Sequence, residues 1–185
     1  MKRVLLLIVL FMFVLGTSCF AESKITCSSD EDSFVQYYAT ENWTNSGTYR
    51  IEGRITKNIQ ENGEMKYWLN VNARGRDDGF TTKAQIMIGD KTYSLKCVDI
   101  ISSKYRSSMS NKSRSMGTEC QEFYDVDAEI INEISLSTKP VYIEVNFKNR
   151  PNVQLKVEGG FLESLKEFSN LTFQSKDKYL NKLGY

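Results

Sequence analysis

Histidine is absent from the 185 residues of the chain. This absence removes the side chain that most often acts as a general base near neutral pH and most often binds transition metals. It also removes Ser-His-Asp and Cys-His activation of a nucleophile. A zinc site with four protein ligands would need a carboxylate beside the few cysteines. The sequence therefore indicates no metal, no cofactor and no catalytic nucleophile motif.

An excess of charge is also missing. The chain carries 24 lysines and arginines against 23 aspartates and glutamates, a net charge of +1. Near neutrality gives no argument for nucleic acid or for an anionic membrane surface as a partner. Only 2 prolines and 11 glycines occur, while aromatic residues make up 12% of the chain. This composition is typical of a folded protein and not of a disordered one.

The first 21 residues have the order of a secretory signal peptide. Lys2 and Arg3 precede the apolar run 4–15, and small residues follow before the chain turns polar at Glu22. The run is too short to span a bilayer core of about 30 Å, which needs roughly 20 residues. We therefore expect an exported, periplasmic or secreted protein that begins at Glu22 and has no transmembrane span.

Lipidation at Cys19 is the alternative to ordinary secretion. A lipoprotein signal places a leucine three residues before its cysteine, whereas Gly16 occupies that position here and Leu15 lies one place too early. In ordinary cleavage, Cys19 and Ala21 are the two small residues before the cut. A lipid on Cys19 would anchor the protein to a membrane without changing its fold.

The three remaining cysteines are disulfide candidates in an oxidising compartment. Cys97 and Cys120 flank the polar loop 102–118, and we predict that they are bonded. Closing a loop of this size stabilises a fold by about 3 kcal/mol in the chain-entropy estimate. Cys27 is then the odd thiol. Two alternatives stay open, an intermolecular bridge and replacement of one member of the pair by Cys27.

Alternation of apolar and polar residues predicts three antiparallel strand pairs. Asn62-Gly63 suits the turn of the first pair, because both residues tolerate left-handed backbone. Apolar residues at helical spacing predict two helices in the last third of the chain, with Asp127 as a candidate N-cap. The predicted strands are 49–55, 65–73, 81–88, 92–98, 141–147 and 153–157, and the predicted helices are 127–134 and 161–168.

These patterns predict a single α+β domain of mainly antiparallel sheet. We expect a sandwich or open barrel of about seven strands, with one or two helices from the C-terminal third covering an end or face. The predicted division is a signal peptide over 1–21, an N-terminal lead-in over 22–47, the β-rich domain over 48–173 and a tail over 174–185.

The last third also resembles the ends of invasion-associated locus B-type periplasmic proteins. The resemblance consists of Cys120, the helix 127–134, the hairpin 141–157 and the helix 160–168. It concerns the order of elements and includes no sequence motif, and the N-terminal part of the chain does not share it. The sequence itself therefore identifies no family.

A basic, serine-rich loop is the candidate anion-binding site. It is poor in aromatic residues, whereas single-stranded nucleic acids are bound by aromatic side chains interleaved with the charges. Its candidate partners are an envelope protein or an anionic glycan, and the alternative is a solvated loop. The four basic residues are Lys104, Arg106, Lys112 and Arg114.

Asp125 and Asp127 are the candidate carboxylate pair. Alternate residues of a strand share a side, so the two carboxylates could serve glycan hydrolysis, although helix capping also explains Asp127. Our leading hypothesis is a non-enzymatic binding or assembly-support protein of the cell envelope or secreted fraction. The alternative is a hydrolase that acts on glycans or the cell wall with this pair.

Overall fold

The described residues fold into a curled antiparallel sheet with three α-helices, mostly in the C-terminal part. The predicted fold class, a mainly antiparallel α+β fold of the sandwich or open-barrel type, is confirmed. Within the described residues the strand order is β1-β2-β3-β4-β7-β6-β5-β8-β9. The computed structural model describes residues 24–30, 34–46, 49–75, 80–106, 116–147 and 151–180.

The bounds of the elements follow chain order. The strands are β1 (Ile25–Asp30), β2 (Phe34–Ser46), β3 (Tyr49–Gln60), β4 (Met65–Gly75), β5 (Phe80–Ile88), β6 (Lys91–Arg106), β7 (Met116–Val126), β8 (Val141–Phe147) and β9 (Val153–Lys156). The helices are α1 (Ala128–Leu136), α2 (Gly159–Phe168) and α3 (Lys176–Leu180), with a 3-10 turn at Phe173–Ser175 before α3.

The three predicted strand pairs are confirmed as β3–β4, β5–β6 and β8–β9. Gly63 and Gly89 lie in the first two turns with φ of 84° and 59°. This left-handed backbone is accessible to glycine without steric cost. Helices α1 and α2 also lie where the sequence predicts them, but the Asp127 side chain makes no capping hydrogen bond at the start of α1.

Described residues on both sides of 48–173 join the sheet and its core. The expected lead-in forms β1 and β2, so the described sheet has nine strands where about seven were expected. In the expected tail, the ring of Tyr179 on α3 meets the ring of Tyr37 on β2 edge to face, with 5.5 Å between centroids. The sequence of β2 shows no clear alternation of apolar and polar residues, because both faces of the strand carry aromatic residues.

One face of the sheet and the inner faces of the helices form a single apolar core. Because side chains alternate along a strand, this face takes every second residue of β2, β3, β4 and β7. Helix α1 adds Ile130, Ile131 and Ile134. Helix α2 adds Phe161, Leu165 and Phe168.

Lys57 is a buried cation that joins the sheet to the end of α2. Its side chain is on the core face of β3 and the residue is 1% exposed. Nζ donates hydrogen bonds to the backbone carbonyls of Phe168 at 2.5 Å and Leu171 at 2.8 Å. Carbonyls at a helix end lack partners within the helix and attract positive charge. Burial lowers the pKa of Lys57 to about 8.

Replacing Lys57 with methionine should destabilise the fold by about 3 kcal/mol at pH 7, because two buried carbonyls lose their donor. The pKa of Lys57 in the fold lies below its ordinary value of 10.5. Between about pH 8 and pH 10 the unfolded chain therefore binds more protons at this residue, and its contribution to the free energy of unfolding rises with pH. The Lys57→Met variant lacks that rise.

Urea unfolding followed by circular dichroism at pH 7, 8, 9 and 10 measures both effects. Lys66→Met is the matched control, since Lys66 is exposed and pairs with Glu64 on the surface at 3.0 Å. We expect the control to stay within about 0.5 kcal/mol of the wild type. A Lys57→Met variant that follows the wild type at every pH would contradict this role for the ammonium group.

No helix in the described ranges is both long enough and apolar enough to cross a membrane.

Candidate functional site

The face of the sheet opposite the core carries a cavity of about 470 Å³. Strands β2, β3, β4, β6 and β7 all contribute side chains to it. We call this cavity the open-face pocket. Its aromatic lining residues are Tyr38, Trp68 and Phe123. Its polar and charged lining residues are Gln36, Arg54, Thr56, Asn70, Asp99 and Gln121.

The register of the strands brings these residues into two rows across the sheet. In one row, Thr56 on β3 stands between Tyr38 on β2 and Trp68 on β4. In the next row, Asn70 on β4 stands between Arg54 on β3 and Phe123 on β7. Each row lies beside rows of core residues on the other face, so the packing of the core fixes the position of the pocket side chains.

Tyr38 forms one wall of the pocket and is held by its neighbours. Its hydroxyl donates a hydrogen bond to Gln36 Oε1 at 2.5 Å and lies 2.8 Å from Ser28 Oγ. The guanidinium carbon of Arg54 is 5.1 Å from the centroid of the Tyr38 ring, a cation–π contact. The ring therefore has one fixed orientation before any ligand arrives.

Arg54 is also held by polar groups of the same face. Its Nε donates to Thr40 Oγ1 at 3.3 Å, and one terminal nitrogen lies 3.6 Å from a carboxylate oxygen of Glu52. The arginine charge is thus shared between an aromatic ring, a hydroxyl and a carboxylate. These contacts hold the side chain of Arg54 in the lining of the pocket, and the carboxylate of Glu52 partly balances its charge.

A β-bulge places Asp99 in the pocket. Cys97 on β6 pairs with Tyr124 on the core face, so strict alternation would also point Asp99 towards the core. The register shifts at Val98, and Asp99 instead pairs with Phe123 on the pocket face. The backbone N–H of Ile100 donates to Asp99 Oδ1 at 2.8 Å and orients the carboxylate. Bulges often redirect side chains at functional sites.

A second polar cluster lies on the core side of β6 and β7. The hydroxyl of Tyr124 donates to Glu122 Oε2 at 2.5 Å, and Glu122 is 3% exposed. Burial raises the pKa of Glu122 and raises the pKa of the Cys120 thiol to about 11. Burial also raises the pKa of Cys97. Thiols with raised pKa carry little thiolate near neutral pH and are poor nucleophiles there.

The predicted Cys97–Cys120 bond is not present in the structure, where both are free thiols. The two cysteines lie on neighbouring strands, but Cys97 is opposite Tyr124 whereas Cys120 is opposite Ser102. Four positions along β7 separate them, about 13 Å of extended chain. Cys27 is also a free, buried thiol, and burial raises its pKa to about 11.

Peptide mapping tests this placement. Protein isolated under oxidising conditions, then denatured and alkylated without reductant, should give alkylated Cys97 and alkylated Cys120. The strand register keeps their sulfur atoms too far apart for a bond, which needs Cα atoms within roughly 7 Å. A linked peptide that contains both residues would mean that β6 and β7 pair in a different register.

The basic loop is shorter than expected. β6 continues to Arg106 and β7 begins at Met116, because the polar ends of the two strands still pair with each other. Lys104 and Arg106 therefore lie within strand β6 and not in a loop. The candidate residues Lys112 and Arg114 lie outside the described residues, as does Cys19.

The two carboxylates of the predicted pair lie on either side of the end of β7. Asp125 is exposed on the pocket face of β7, directly opposite Trp68 on β4. Asp127 lies beyond the end of β7, at the start of α1, and is also exposed. Within the sheet that carries the pocket, the pair is therefore represented by Asp125.

The predictions from the sequence do not include the open-face pocket, although the sequence contains a signal for it. On the solvated face of an antiparallel sheet, the residues between the core positions are usually polar. Between the core positions of β2, β4 and β7 the chain also has the aromatic residues Tyr38, Trp68 and Phe123, beside the amides of Asn70 and Gln121. Aromatic and amide side chains on the outer face of several strands indicate a binding surface.

Among the described residues, no three cysteine, aspartate or glutamate side chains lie together as metal ligands would. The chain matches no protein-family model, and no curated protein and no solved structure is detectably similar to it.

Proposed function

We propose that the protein is an exported, non-enzymatic binding protein and that the open-face pocket holds its ligand. The observation that carries this proposal is a cavity of about 470 Å³ lined by aromatic and hydrogen-bonding side chains. Small-molecule sites in proteins range from about 300 to 1,000 Å³ and combine aromatic surface with a few placed polar groups. Export rests on the signal-like order of residues 1–21.

The chemistry of the lining favours binding over catalysis. The lining contains one carboxylate, that of Asp99. Its other polar groups are amides, a threonine hydroxyl and the guanidinium of Arg54, which is held by a hydrogen bond to Thr40. Amide side chains donate and accept hydrogen bonds but do not gain or lose a charge near neutral pH, so they are unsuited to general acid or base catalysis. Cys97 and Cys120 lie on the core side of β6 and β7, so their thiols are not part of the pocket lining. The lining is therefore suited to recognition.

A glycan- or cell-wall-acting hydrolase is the second candidate. Asp99 pairs with Phe123, and Asp125 lies two residues further along β7 on the same face. Such diagonal neighbours are about 7–8 Å apart, and carboxylates at about 6.5–9.5 Å serve inverting glycoside hydrolysis. Both side chains are exposed, whereas a general acid usually stands in an apolar environment. We therefore rank binding first.

The basic residues at the β6–β7 connection are a separate candidate site. An envelope protein or an anionic glycan is the partner that their charge suggests. Because two of the four residues lie outside the described part of the chain, the proposal rests on the open-face pocket.

Ligand binding should change the indole N–H signal of Trp68 in two-dimensional ¹H–¹⁵N spectra. The chain has 2 tryptophans, and Trp43 covers Gly53 on the core face, away from the pocket. Polysaccharide, peptide and small-metabolite fractions of the producing cells and their medium are the probes. We expect one fraction to shift the Trp68 signal and to leave the Trp43 signal in place, with Trp68→Phe supplying the assignment.

A Trp68 signal that responds to none of the three fractions would contradict the binding proposal. Breakdown of the polysaccharide fraction, lost in both Asp125→Asn and Asp99→Asn, would instead establish the hydrolase. A binding protein would break down none of the fractions, either as wild type or as these two variants, so the two functions give different results.

Export predicts a shortened protein. In the native host the chain should lose residues 1–21 and begin at Glu22, because small residues at Cys19 and Ala21 suit signal peptidase. Intact-mass measurement gives the result directly. A species that begins at Cys19 and carries acyl chains would establish the lipoprotein alternative, and an uncleaved intracellular chain would contradict export in either form.

A further inference from the structure

We propose that the ligand of the open-face pocket is a neutral glycan, an uncharged oligosaccharide that lies across β2, β3, β4 and β7. This inference rests on the proposed function and names the ligand class of the same site. Three properties of the pocket support it: balanced charge, side chains that both donate and accept hydrogen bonds, and separate aromatic surfaces.

The charges of the pocket balance. Its lining has one cation, Arg54, and one anion, Asp99. Glu52 lies outside this lining, 3.6 Å from the arginine, and adds one further negative charge beside it. In the adjoining row Asp125 stands opposite Lys96, which again adds one charge of each sign. Phosphates, sulfates and uronates are held by an excess of arginine and lysine, and this surface has none.

The hydrogen-bonding groups match hydroxyls. Asn70, Gln121 and Gln36 each carry an amide with two N–H donors and a carbonyl acceptor. Asp99 is an acceptor only, and Thr56 both donates and accepts. A sugar hydroxyl also donates and accepts at once, so each one can pair with such a group in either direction. A purely apolar ligand would displace water from these polar groups without replacing the hydrogen bonds to that water, which disfavours such a ligand.

The aromatic rings are spaced for an extended ligand. Tyr38 and Trp68 share a row with one strand between them, so they stand about 10 Å apart. Phe123 lies diagonally from Trp68 across β4 and β7, at about 7–8 Å. The C–H faces of pyranose rings pack on aromatic rings, and two such surfaces accommodate more than one sugar of a chain.

Next to the pocket, the same face of the sheet carries a hydrogen-bond acceptor that has no partner. Asn72 pairs with Gln121 in the next row, and its Oδ1 is buried without a hydrogen-bond partner. A buried acceptor of this kind is uncommon in folded proteins. Small side-chain movement would let Asn72 accept from a ligand hydroxyl, so the rows next to the pocket share its chemistry.

Isothermal titration calorimetry with defined oligosaccharides tests the inference. The neutral probes are chitotetraose, cellotetraose, maltotetraose, xylotetraose and mannotetraose, and tetragalacturonate is the acidic probe. Adenosine and trialanine represent other ligands that aromatic and amide side chains bind. We expect at least one neutral tetrasaccharide to bind more tightly than tetragalacturonate, adenosine and trialanine.

Two variants assign the binding to the pocket. Trp68→Ala and Asn70→Ala should each weaken the binding of that tetrasaccharide about tenfold or more, a change of at least about 1.4 kcal/mol. Tyr142→Ala is the matched control, since Tyr142 is a half-buried aromatic residue on the same face but on β8. The control should bind within about twofold of the wild type, and circular dichroism checks the fold of all three.

The outcomes separate the inference from the proposed function. If adenosine, trialanine or tetragalacturonate binds best and Trp68→Ala weakens it, the neutral-glycan inference is wrong while the binding function stands. If no neutral tetrasaccharide binds but a cell fraction shifts the Trp68 signal, the inference is again wrong. Tetrasaccharide binding that is equal in Trp68→Ala and wild type would place the glycan elsewhere. If no probe binds in calorimetry and no cell fraction shifts the indole N–H signal of Trp68, both proposals fail.

Discussion

The common register of β2, β3, β4 and β7 determines both the core and the open-face pocket. Neighbouring residues of these strands serve opposite faces, as Leu69 and Asn70 do, the first fully buried and the second in the pocket lining. A slip of one residue in any pairing would exchange the faces and place amides in the core. The free energy that selects the core therefore also selects the geometry of the pocket. The site needs no further interaction to assemble, only local contacts to orient its side chains.

Local patterns in the sequence predict the hairpins, whereas the pocket depends on pairings that are distant in the chain. Alternation and turn residues suffice for β3–β4, because the two strands are adjacent in sequence. The pairing of β4 with β7 joins Trp68 to Asp125, and no local pattern specifies it. Tyr37 and Tyr38 hide the period of β2, since one is buried and the other lines the pocket. The bulge at Val98 then inverts the expected face of Asp99.

Two buried ionisable groups lie on the core side of the sheet without pairing with each other. Lys57 is compensated by backbone carbonyls, and Glu122 by the Tyr124 hydroxyl. The raised pKa of Glu122 means that its contribution to stability falls as pH rises from the unfolded-state pKa through the native one. Lys57 has the opposite sign and gains above about pH 8. The ionised form of each group carries a desolvation cost that the apolar packing has to offset.

The separation of the two faces also separates stability from binding. Trp68 and Asn70 are half-buried on the pocket face, so their truncation removes little packing from the core. Thr56 differs, because it lines the pocket and is only 7% exposed. A change at Thr56 therefore affects the fold and the ligand together, whereas changes at Trp68 and Asn70 affect mainly the ligand. Loss of binding at those two positions can accordingly be interpreted as loss of contact with the ligand, since the sheet that presents them is held by the other face.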